Sequence, residues 1–212
     1  MTTLRYAGQT ETLALMRLAP VIPVLVVESR DEAVAAARAL VAGGLRAIEI
    51  TLRTSAALDA IKAVAQEVEG AVVGAGTVLD ETGLSAALAA GARFLVSPGA
   101  TPRLARALAE QSVPALPGVA SVTEAMALRE LGFRQLKFFP AEANGGGRGV
   151  AARGGPLPAL VFSPPGGFDA ARAPAYLALK NVACVGGSWM CPRGAAPADI
   201  ERMAREAAAL KG

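Results

Sequence analysis

The chain has 212 residues, 53% of them hydrophobic, and it carries a formal net charge of +3 at pH 7. This length allows one compact domain with a sizeable core, and the apolar content excludes a mainly disordered protein. Because the chain contains no histidine, Ser–His dyads, Cys–His dyads and His-ligated metal sites are excluded, and acid–base chemistry must come from other groups.

Charge, hydropathy and cysteine content argue against nucleic-acid-binding, membrane and disulfide-rich proteins. The lysines and arginines are scattered and form no basic run, which predicts that the chain has no nucleic-acid partner. The sequence contains no run of ~18 uncharged apolar residues, so no membrane span is predicted. Its N-terminus also lacks the pattern of a secretory signal. Two cysteines, Cys184 and Cys191, are too few for a disulfide framework. We therefore expect a cytoplasmic protein with no membrane partner.

A short apolar run followed by an Ala-rich helical stretch recurs along the chain. The sixth helical stretch is the weakest, because glycines interrupt it. The predicted strands with the helices that follow them are, in chain order, residues 21–27 and 31–42, 47–51 and 56–68, 71–75 and 81–90, 94–97 and 102–110, 113–117 and 122–131, 135–139 and 147–153, 160–163 and 170–179, and 182–185 and 199–210.

Strands that alternate with helices predict an α/β protein with a parallel sheet. Eight such units in so short a chain favour closure into a (β/α)8 TIM barrel, which needs roughly 200 residues or more. We expect residues 1–212 to form this barrel as a single domain, with residues 4–18 folded as an N-terminal helix that plugs its bottom. The alternative is an open, doubly wound sheet.

The second predicted strand carries polar residues on one face. Side chains alternate across a strand, so Glu49, Thr51 and Arg53 share a face that would point into the barrel. A buried carboxylate is costly unless it is paired or functional. Two interpretations stay open at this point: Glu49 transfers protons in a reaction, or it forms a structural ion pair with Arg53.

A lysine stands in the middle of the sixth predicted strand. Lys137 alternates with Leu136 and Phe138, so it should face the barrel interior, although lysine is rarely fully buried. An apolar environment favours the neutral amine, which is a nucleophile for carbonyl carbon. The alternative is a lysine whose stem is buried and whose charged end reaches the surface.

The ends of several predicted strands suit ligand binding. Thr77 and the segment 97–99 follow the third and fourth strands, but each is a weak signal alone. The last two strands end in paired glycines, at 165–167 and 186–188, where barrels often bind phosphate. Together with the amine, the carboxylate and Arg53, these groups suit a substrate with a carboxylate at one end and a phosphate at the other.

The chain resembles the family of 2-keto-3-deoxy-6-phosphogluconate (KDPG) aldolases, whose members often also cleave 4-hydroxy-2-oxoglutarate (KHG). Seven segments carry the resemblance, and they run in the same order from about residue 10 to the C-terminus. They are PVIPV (20–24), AGG (42–44), IEITLRT (48–54), VGAGTV (73–78), SPG (97–99), LKFFPAE (136–142) and GGSW (186–189).

This resemblance implies a role for each matching residue. Lys137 would form a Schiff base with the keto acid, and Glu49 would act as general acid and base. Arg53 and Thr77 would hold the pyruvate carboxylate. Pro98 and Phe139 would shape the pocket, and the phosphate would be received by Gly166, Gly167, Gly187 and Ser188.

The resemblance also implies the reaction and the assembly. We expect a lyase of carbohydrate metabolism that cleaves KDPG to pyruvate and glyceraldehyde 3-phosphate and also cleaves KHG to pyruvate and glyoxylate. A keto acid or phosphorylated sugar acid is its small-molecule substrate, no metal or organic cofactor is needed, and the chain is expected to form a homotrimer.

One departure from the family concerns the substrate pocket. Pro165 replaces a threonine that is usual in the family, and proline removes a hydroxyl and an N–H donor. The preferred aldehyde partner is therefore open. Two rival functions remain: a sugar-phosphate barrel enzyme of the epimerase or synthase type that forms no imine, and a sugar-phosphate binding protein with weakened catalysis.

Overall fold

Parallel strands alternate with helices throughout the structure, as the sequence pattern predicts. The computed structural model describes residues 4–166 and 169–211, and every strand pair within them is parallel. The strands are β1 (Val21–Leu25), β2 (Ala47–Thr51), β3 (Val72–Gly76), β4 (Leu95–Val96), β5 (Ala115–Leu116), β6 (Gly118–Val119), β7 (Gln135–Phe138), β8 (Val161–Ser163) and β9 (Val185–Gly187).

The helices lie between these strands, with one helix before β1. None of those in the described part of the chain is long and apolar enough to cross a bilayer. They are α1 (Gln9–Met16), α2 (Arg30–Ala42), α3 (Ala57–Glu67), α4 (Glu81–Ala89), α5 (Pro102–Ala109), α6 (Val122–Glu130), a 3-10 helix (Glu142–Asn144), α7 (Gly146–Gly154), α8 (Ala173–Leu177) and α9 (Pro197–Ala208).

The strands form two sheets. The larger has the order β5-β4-β3-β2-β1-β9, and the smaller has the order β6-β7-β8. In the larger sheet the first strand lies between the second and the last, and the others follow in chain order. This is the order of a curled sheet, whereas a doubly wound sheet reverses direction at its centre. The doubly wound alternative is therefore wrong.

The fifth predicted strand, residues 113–117, is shorter than expected, and a second short strand, β6, follows its last residue, Pro117. Pro117 separates β5 from β6, because its nitrogen cannot donate a hydrogen bond to a neighbouring strand. Its carbonyl still accepts a bond of 3.0 Å from the Lys137 N–H. As a result β5 pairs with β4 and β6 pairs with β7, and the chain passes from one sheet to the other at this residue.

The last predicted strand lies further along the chain than expected. Its regular ladder to β1 starts at Val185, whose N–H donates to the Pro20 carbonyl over 2.9 Å. Val182 makes only an isolated bridge to Phe162. The strand therefore covers Val185–Gly187 instead of 182–185, and the paired glycines belong to the strand itself.

Two apolar clusters lie on opposite faces of the strands. Ile48 and Ile50 of β2 belong to the larger cluster, together with residues from α2 and α3. Ala47 belongs to the smaller cluster, in which strand residues pack against Leu15 and Met16 of α1. Because side chains alternate, Glu49 lies on the Ala47 face. The predicted division of β2 into two faces is thus present in the structure.

Two helices near the end of the chain differ from their predicted bounds. The glycine-rich α7 extends over Gly146–Gly154. Its Arg153 holds it against the rest of the protein, because the guanidinium lies 4.4 Å from the Phe138 ring centre and donates to the Ala120 carbonyl. Burial lowers the pKa of Arg153. The predicted helix 170–179 is only Ala173–Leu177, with Pro174 in its first turn, because proline is tolerated at a helix start but not further inside.

Candidate active site

Lys137 and Glu49 meet across the interior although they stand on different sheets. Lys137 lies on β7 and Glu49 on β2, and both are buried, with 6% and 4% of their surface exposed. The distance from Lys137 Nζ to Glu49 Oε1 is 3.6 Å. This is ion-pair contact without a hydrogen bond, because N–H···O bonds in proteins are usually no longer than about 3.2 Å.

The Glu49 oxygen that faces the lysine is unusual among the buried polar atoms of the described residues. Within the described residues, Glu49 Oε1 is a buried atom without a hydrogen bond. Buried polar atoms are usually satisfied, because leaving one unpaired costs stability. An unpaired carboxylate oxygen beside an amine is free to accept a proton, so the pair combines a nucleophile with a base in one closed space.

Lys137 is flanked by a close approach of two backbone segments and by an aromatic ring. Gly118 of β6 and Ser163 of β8 are the strand neighbours in register with Lys137. A Cβ on Gly118 would lie 2.2 Å from the carbonyl oxygen of Pro98, so the two backbones approach too closely for any side chain there. The Lys137 Nζ lies 5.2 Å from the centre of the Phe139 ring, which forms an apolar wall beside the amine.

Arg53 and Thr77 come together at the ends of β2 and β3. Arg53 Nε donates a hydrogen bond of 3.1 Å to Thr77 Oγ1, and the arginine side chain is exposed. The ion pair that the structure gives Glu49 is with Lys137, so the alternative of a structural Glu49–Arg53 pair is wrong. Thr77 has a φ of +57°, a left-handed conformation that is strained for a β-branched residue.

The turn after β8 and the glycine pair at the end of β9 lie side by side. A bridge joins Pro165 to Gly186, and Pro165 is buried against that strand. Gly166 is exposed with a φ of +94°, and a Cβ there would lie 3.6 Å from the Phe139 ring. Gly187 is buried and Ser188 is exposed at the end of β9. Gly167 lies outside the described residues.

Some residues beside the site were not singled out from the sequence. Ser163 is buried next to Lys137, and the Cys184 thiol donates to its Oγ over 3.5 Å. Burial raises the pKa of Cys184 to about 12, so this thiol is not a nucleophile at neutral pH. The alternation of side chains that placed Lys137 on the inner face of its strand also places Ser163 there. Serine is common in strands, however, so this residue alone did not indicate a functional site.

The described residues offer no metal centre. Within residues 4–166 and 169–211, no group of three or more His, Cys, Asp or Glu side chains is arranged to hold a metal ion. What the structure does bring together is a buried amine and a buried carboxylate, a combination that is chemically suited to covalent catalysis.

Comparison with known proteins identifies similar chains over almost the whole length. A family model described as "KDPG and KHG aldolase" matches residues 13–205. The chain is 46% identical over 203 residues to the KHG/KDPG aldolase of Escherichia coli (strain K12), and this alignment covers 94% of this chain and 95% of that protein.

Two solved structures are similar in both sequence and fold. The KDPG aldolase of Zymomonas mobilis ZM4 with 3-phosphoglycerate is 46% identical with a TM-score of 0.93, covering 96% of this chain and 97% of that one. The KDPG aldolase of Legionella pneumophila, with pyruvate captured at low pH as a covalent carbinolamine intermediate, is 39% identical with a TM-score of 0.90. That match covers 93% of this chain and 98% of the other.

Proposed function

The chain belongs to the family of KDPG and KHG aldolases, and on this premise we propose that it cleaves KDPG to pyruvate and glyceraldehyde 3-phosphate through a lysine Schiff base. The observation that carries the proposal is the contact of 3.6 Å between the buried Lys137 amine and Glu49. The Legionella relative, captured with pyruvate as a carbinolamine, supports covalent chemistry of this kind in the family.

The reaction begins at the amine. Lys137 Nζ, in its neutral form, adds to the C2 carbonyl of the keto acid, and loss of water from the carbinolamine gives a protonated imine. Glu49 Oε1 lies close enough to exchange protons with the nitrogen and with the departing oxygen, directly or through one water. The chain has no histidine to take this role.

Bond cleavage uses the imine as an electron sink. Glu49 takes the proton of the C4 hydroxyl, the C3–C4 bond breaks, and its electron pair moves towards the imine nitrogen. Glyceraldehyde 3-phosphate leaves, and an enamine remains on Lys137. Return of a proton to C3 and hydrolysis of the imine then release pyruvate and regenerate the amine. No cofactor takes part in this sequence.

The two ends of the substrate are held on opposite sides of the amine. Arg53, which donates to Thr77 Oγ1, would bind the keto-acid carboxylate as a charge-assisted partner. The phosphate would lie at the glycine turns on the other side. The residues that we assign to this second side are Gly166, Gly167, Gly187 and Ser188, with Pro98, Phe139 and Pro165 as the walls of the pocket.

We further propose that residues 1–212 form one closed (β/α)8 barrel. The break between the two sheets is bridged at Pro117 on one side and by the pairs Phe162–Val182 and Pro165–Gly186 on the other. Leu15 and Met16 of α1 reach the inner cluster, which supports a helix that closes the bottom. A cytoplasmic homotrimer in carbohydrate metabolism remains our proposal from the family resemblance.

Reduction with borohydride tests the imine. Incubation with pyruvate and borohydride is expected to add one pyruvate-derived group at Lys137, seen by peptide mass spectrometry. Lys137→Ala should abolish labelling and cleavage, whereas Lys62→Ala, which changes an exposed lysine on α3, should leave both unchanged. Glu49→Gln should slow turnover with the fold intact. If Lys137 stayed unlabelled while the protein converted a sugar phosphate, the epimerase or synthase class would be favoured instead.

A parallel cleavage assay tests the substrate. KDPG and KHG are compared in the same preparation, with pyruvate measured through lactate dehydrogenase. Pro165 offers neither a hydroxyl nor an N–H to the distal part of the substrate, and for this reason we propose that KHG is cleaved as well as KDPG. Ligand binding without pyruvate release from either compound would identify a binding protein and contradict the proposed function.

A further inference from the structure

A hydrogen bond joins the segment that follows β7 to the segment that follows β8. The hydroxyl of Tyr176, on α8, donates a hydrogen bond to Oε1 of Glu142, in the 3-10 helix after β7. Arg172 Nη1 lies 3.8 Å from Oε2 of the same carboxylate. Glu142 therefore connects the strand that carries Lys137 to the helix that follows the first pair of predicted phosphate glycines.

The Tyr176 hydroxyl stays protonated and can therefore always donate this hydrogen bond. Its side chain is buried, with 4% of its surface exposed. Burial and the adjacent Glu142 carboxylate raise the pKa of Tyr176, so the hydroxyl keeps its proton. A phenol that donates to a carboxylate forms a charge-assisted hydrogen bond, which is stronger than a neutral one.

The helix that carries Tyr176 needs such a contact to hold its place. The α8 helix has only five residues, Ala173–Leu177. Helices much shorter than about 12 residues are not stable in water by their own hydrogen bonds, so their position depends on tertiary contacts. The hydrogen bond to Glu142 is one of these contacts, and it joins α8 to the 3-10 helix, which lies 34 residues earlier in the chain.

The same two segments meet a second time, nearer to the amine. A Cβ on Gly166 would lie 3.6 Å from the Phe139 ring, and Lys137 Nζ lies 5.2 Å from the centre of that ring. Residues that follow β8 therefore approach the Lys137 side of the site at two described places: Gly166 lies beside the Phe139 ring, and Tyr176 bonds to Glu142.

We propose that Glu142 and Tyr176 are positioning residues, which set the distance between the Lys137 amine and the anion-binding turn at Gly166. A substrate fixed covalently at one end binds its phosphate well only if the anion site lies at the right distance. The pair thereby favours a phosphorylated aldehyde part over an unphosphorylated one. This inference rests on the proposed function, because it takes Lys137 as the covalent anchor.

The test compares two substrates in variants that change single groups. Tyr176→Phe keeps the ring and removes the hydroxyl. We expect the ratio of kcat/KM for KDPG to that for KHG to fall about tenfold, the loss typical of a charge-assisted hydrogen bond, mainly through KM for KDPG. The dissociation constant of inorganic phosphate, measured by calorimetry, should rise by a similar factor. Glu142→Gln keeps a hydrogen-bond acceptor, so its substrate ratio and its phosphate dissociation constant should lie between those of wild type and Tyr176→Phe.

Tyr6→Phe is the matched control, because Tyr6 is also a buried tyrosine. Its hydroxyl bonds to Thr12 and to the Ala115 N–H, away from the glycine turns. It should lose stability but keep the substrate ratio of the wild type. Should Tyr176→Phe fail to fold, Glu142→Gln and Glu142→Ala carry the comparison with the same two measurements.

Two results would overturn the proposal. One is an unchanged substrate ratio and an unchanged phosphate affinity in Tyr176→Phe and Glu142→Ala. The other is an equal loss of activity on both substrates with normal phosphate binding. Failure of the proposed function is separate, since wild-type protein would then show no pyruvate adduct at Lys137, while phosphate binding would still report on the turn.

Discussion

Gly76, the last residue of β3, and Glu49, in the middle of β2, share one small space. A Cβ built on Gly76 would lie 2.0 Å from Glu49 Oε1 and 2.6 Å from the carboxyl carbon. Gly76 lies two positions beyond the strand partner of Glu49, since Glu49 pairs in register with Gly74 and Thr51 pairs with Gly76. Glycine at position 76 therefore allows the Glu49 carboxylate to point towards Lys137.

Gly76→Ala is expected to displace the Glu49 carboxylate and to lower kcat by about 100-fold, because a displacement of 1 Å in a catalytic group can have an effect of this size. The measurement is steady-state pyruvate release. Gly83→Ala is the control, since its Cβ would lie at an ordinary 3.5 Å from the nearest atom, and it should retain full activity. Wild-type kcat in Gly76→Ala would contradict this account of the glycine.

Thr77 combines a strained backbone conformation with a hydroxyl that accepts a hydrogen bond from Arg53. Thr77→Gly should relieve the strain at φ +57° and raise the free energy of unfolding by about 1 kcal/mol, while kcat/KM falls because Arg53 loses its partner. Thr77→Ser keeps the hydroxyl and should stay near wild-type activity. Denaturant titrations and kinetics on the same samples measure both effects; a Thr77→Gly protein less stable than wild type would argue against strain.

The cap of α6 should make stability depend on pH. The backbone N–H groups of Ala120 and Ser121 donate to the Glu124 carboxylate and lower the pKa of Glu124. For a carboxyl with a depressed pKa, the stabilising effect is present above the unfolded pKa of about 4.3 and disappears as the pH falls through the folded pKa.

Glu124→Gln should therefore cost about 0.5 kcal/mol at pH 7, a small value because the side chain is exposed. The difference from wild type should be smaller at pH 3, because it decreases once the pH falls below the unfolded pKa of about 4.3 and towards the lowered folded pKa of Glu124. Chemical denaturation at both pH values measures it. Glu69→Gln is the control: Glu69 is exposed, and the described part of the chain gives its side chain no hydrogen bond. A pH-independent difference between the two variants would count against the ionised cap.

Both cysteines should resist alkylation in the folded protein. Burial and then the nearby Glu32 raise the pKa of Cys191 to about 11, and Cys184 is fully buried. Since the thiolate is the reactive form, labelling by iodoacetamide at pH 8 should be about 100-fold slower for Cys191 than in unfolded protein. Mass spectrometry with and without guanidinium measures the rates, with Cys191→Ser to identify the site. Rapid labelling of native Cys191 at pH 8 would contradict the prediction.

Local patterns predicted much of the fold. Alternation of strands and helices is set by short-range periodicity, so the parallel α/β organisation could be recognised from the chain alone, and the observed elements mostly begin and end within a few residues of the predicted ones. The division of β2 into two faces has the same origin, because side chains alternate along any strand. The local bounds failed where a single residue interrupts hydrogen bonding, as at Pro117, or limits a helix start, as at Pro174.

The sequence by itself determined which groups are available: a lysine inside an apolar strand, a carboxylate on the inner face of another, no histidine, and glycine pairs near the end of the chain. Only the tertiary structure decided how they meet. The distance of 3.6 Å between Lys137 and Glu49, the space that Gly76 leaves for the carboxylate and the bond from Tyr176 to Glu142 join residues that are far apart in the chain. Such contacts follow from the packing of whole strands and helices, which no local pattern encodes.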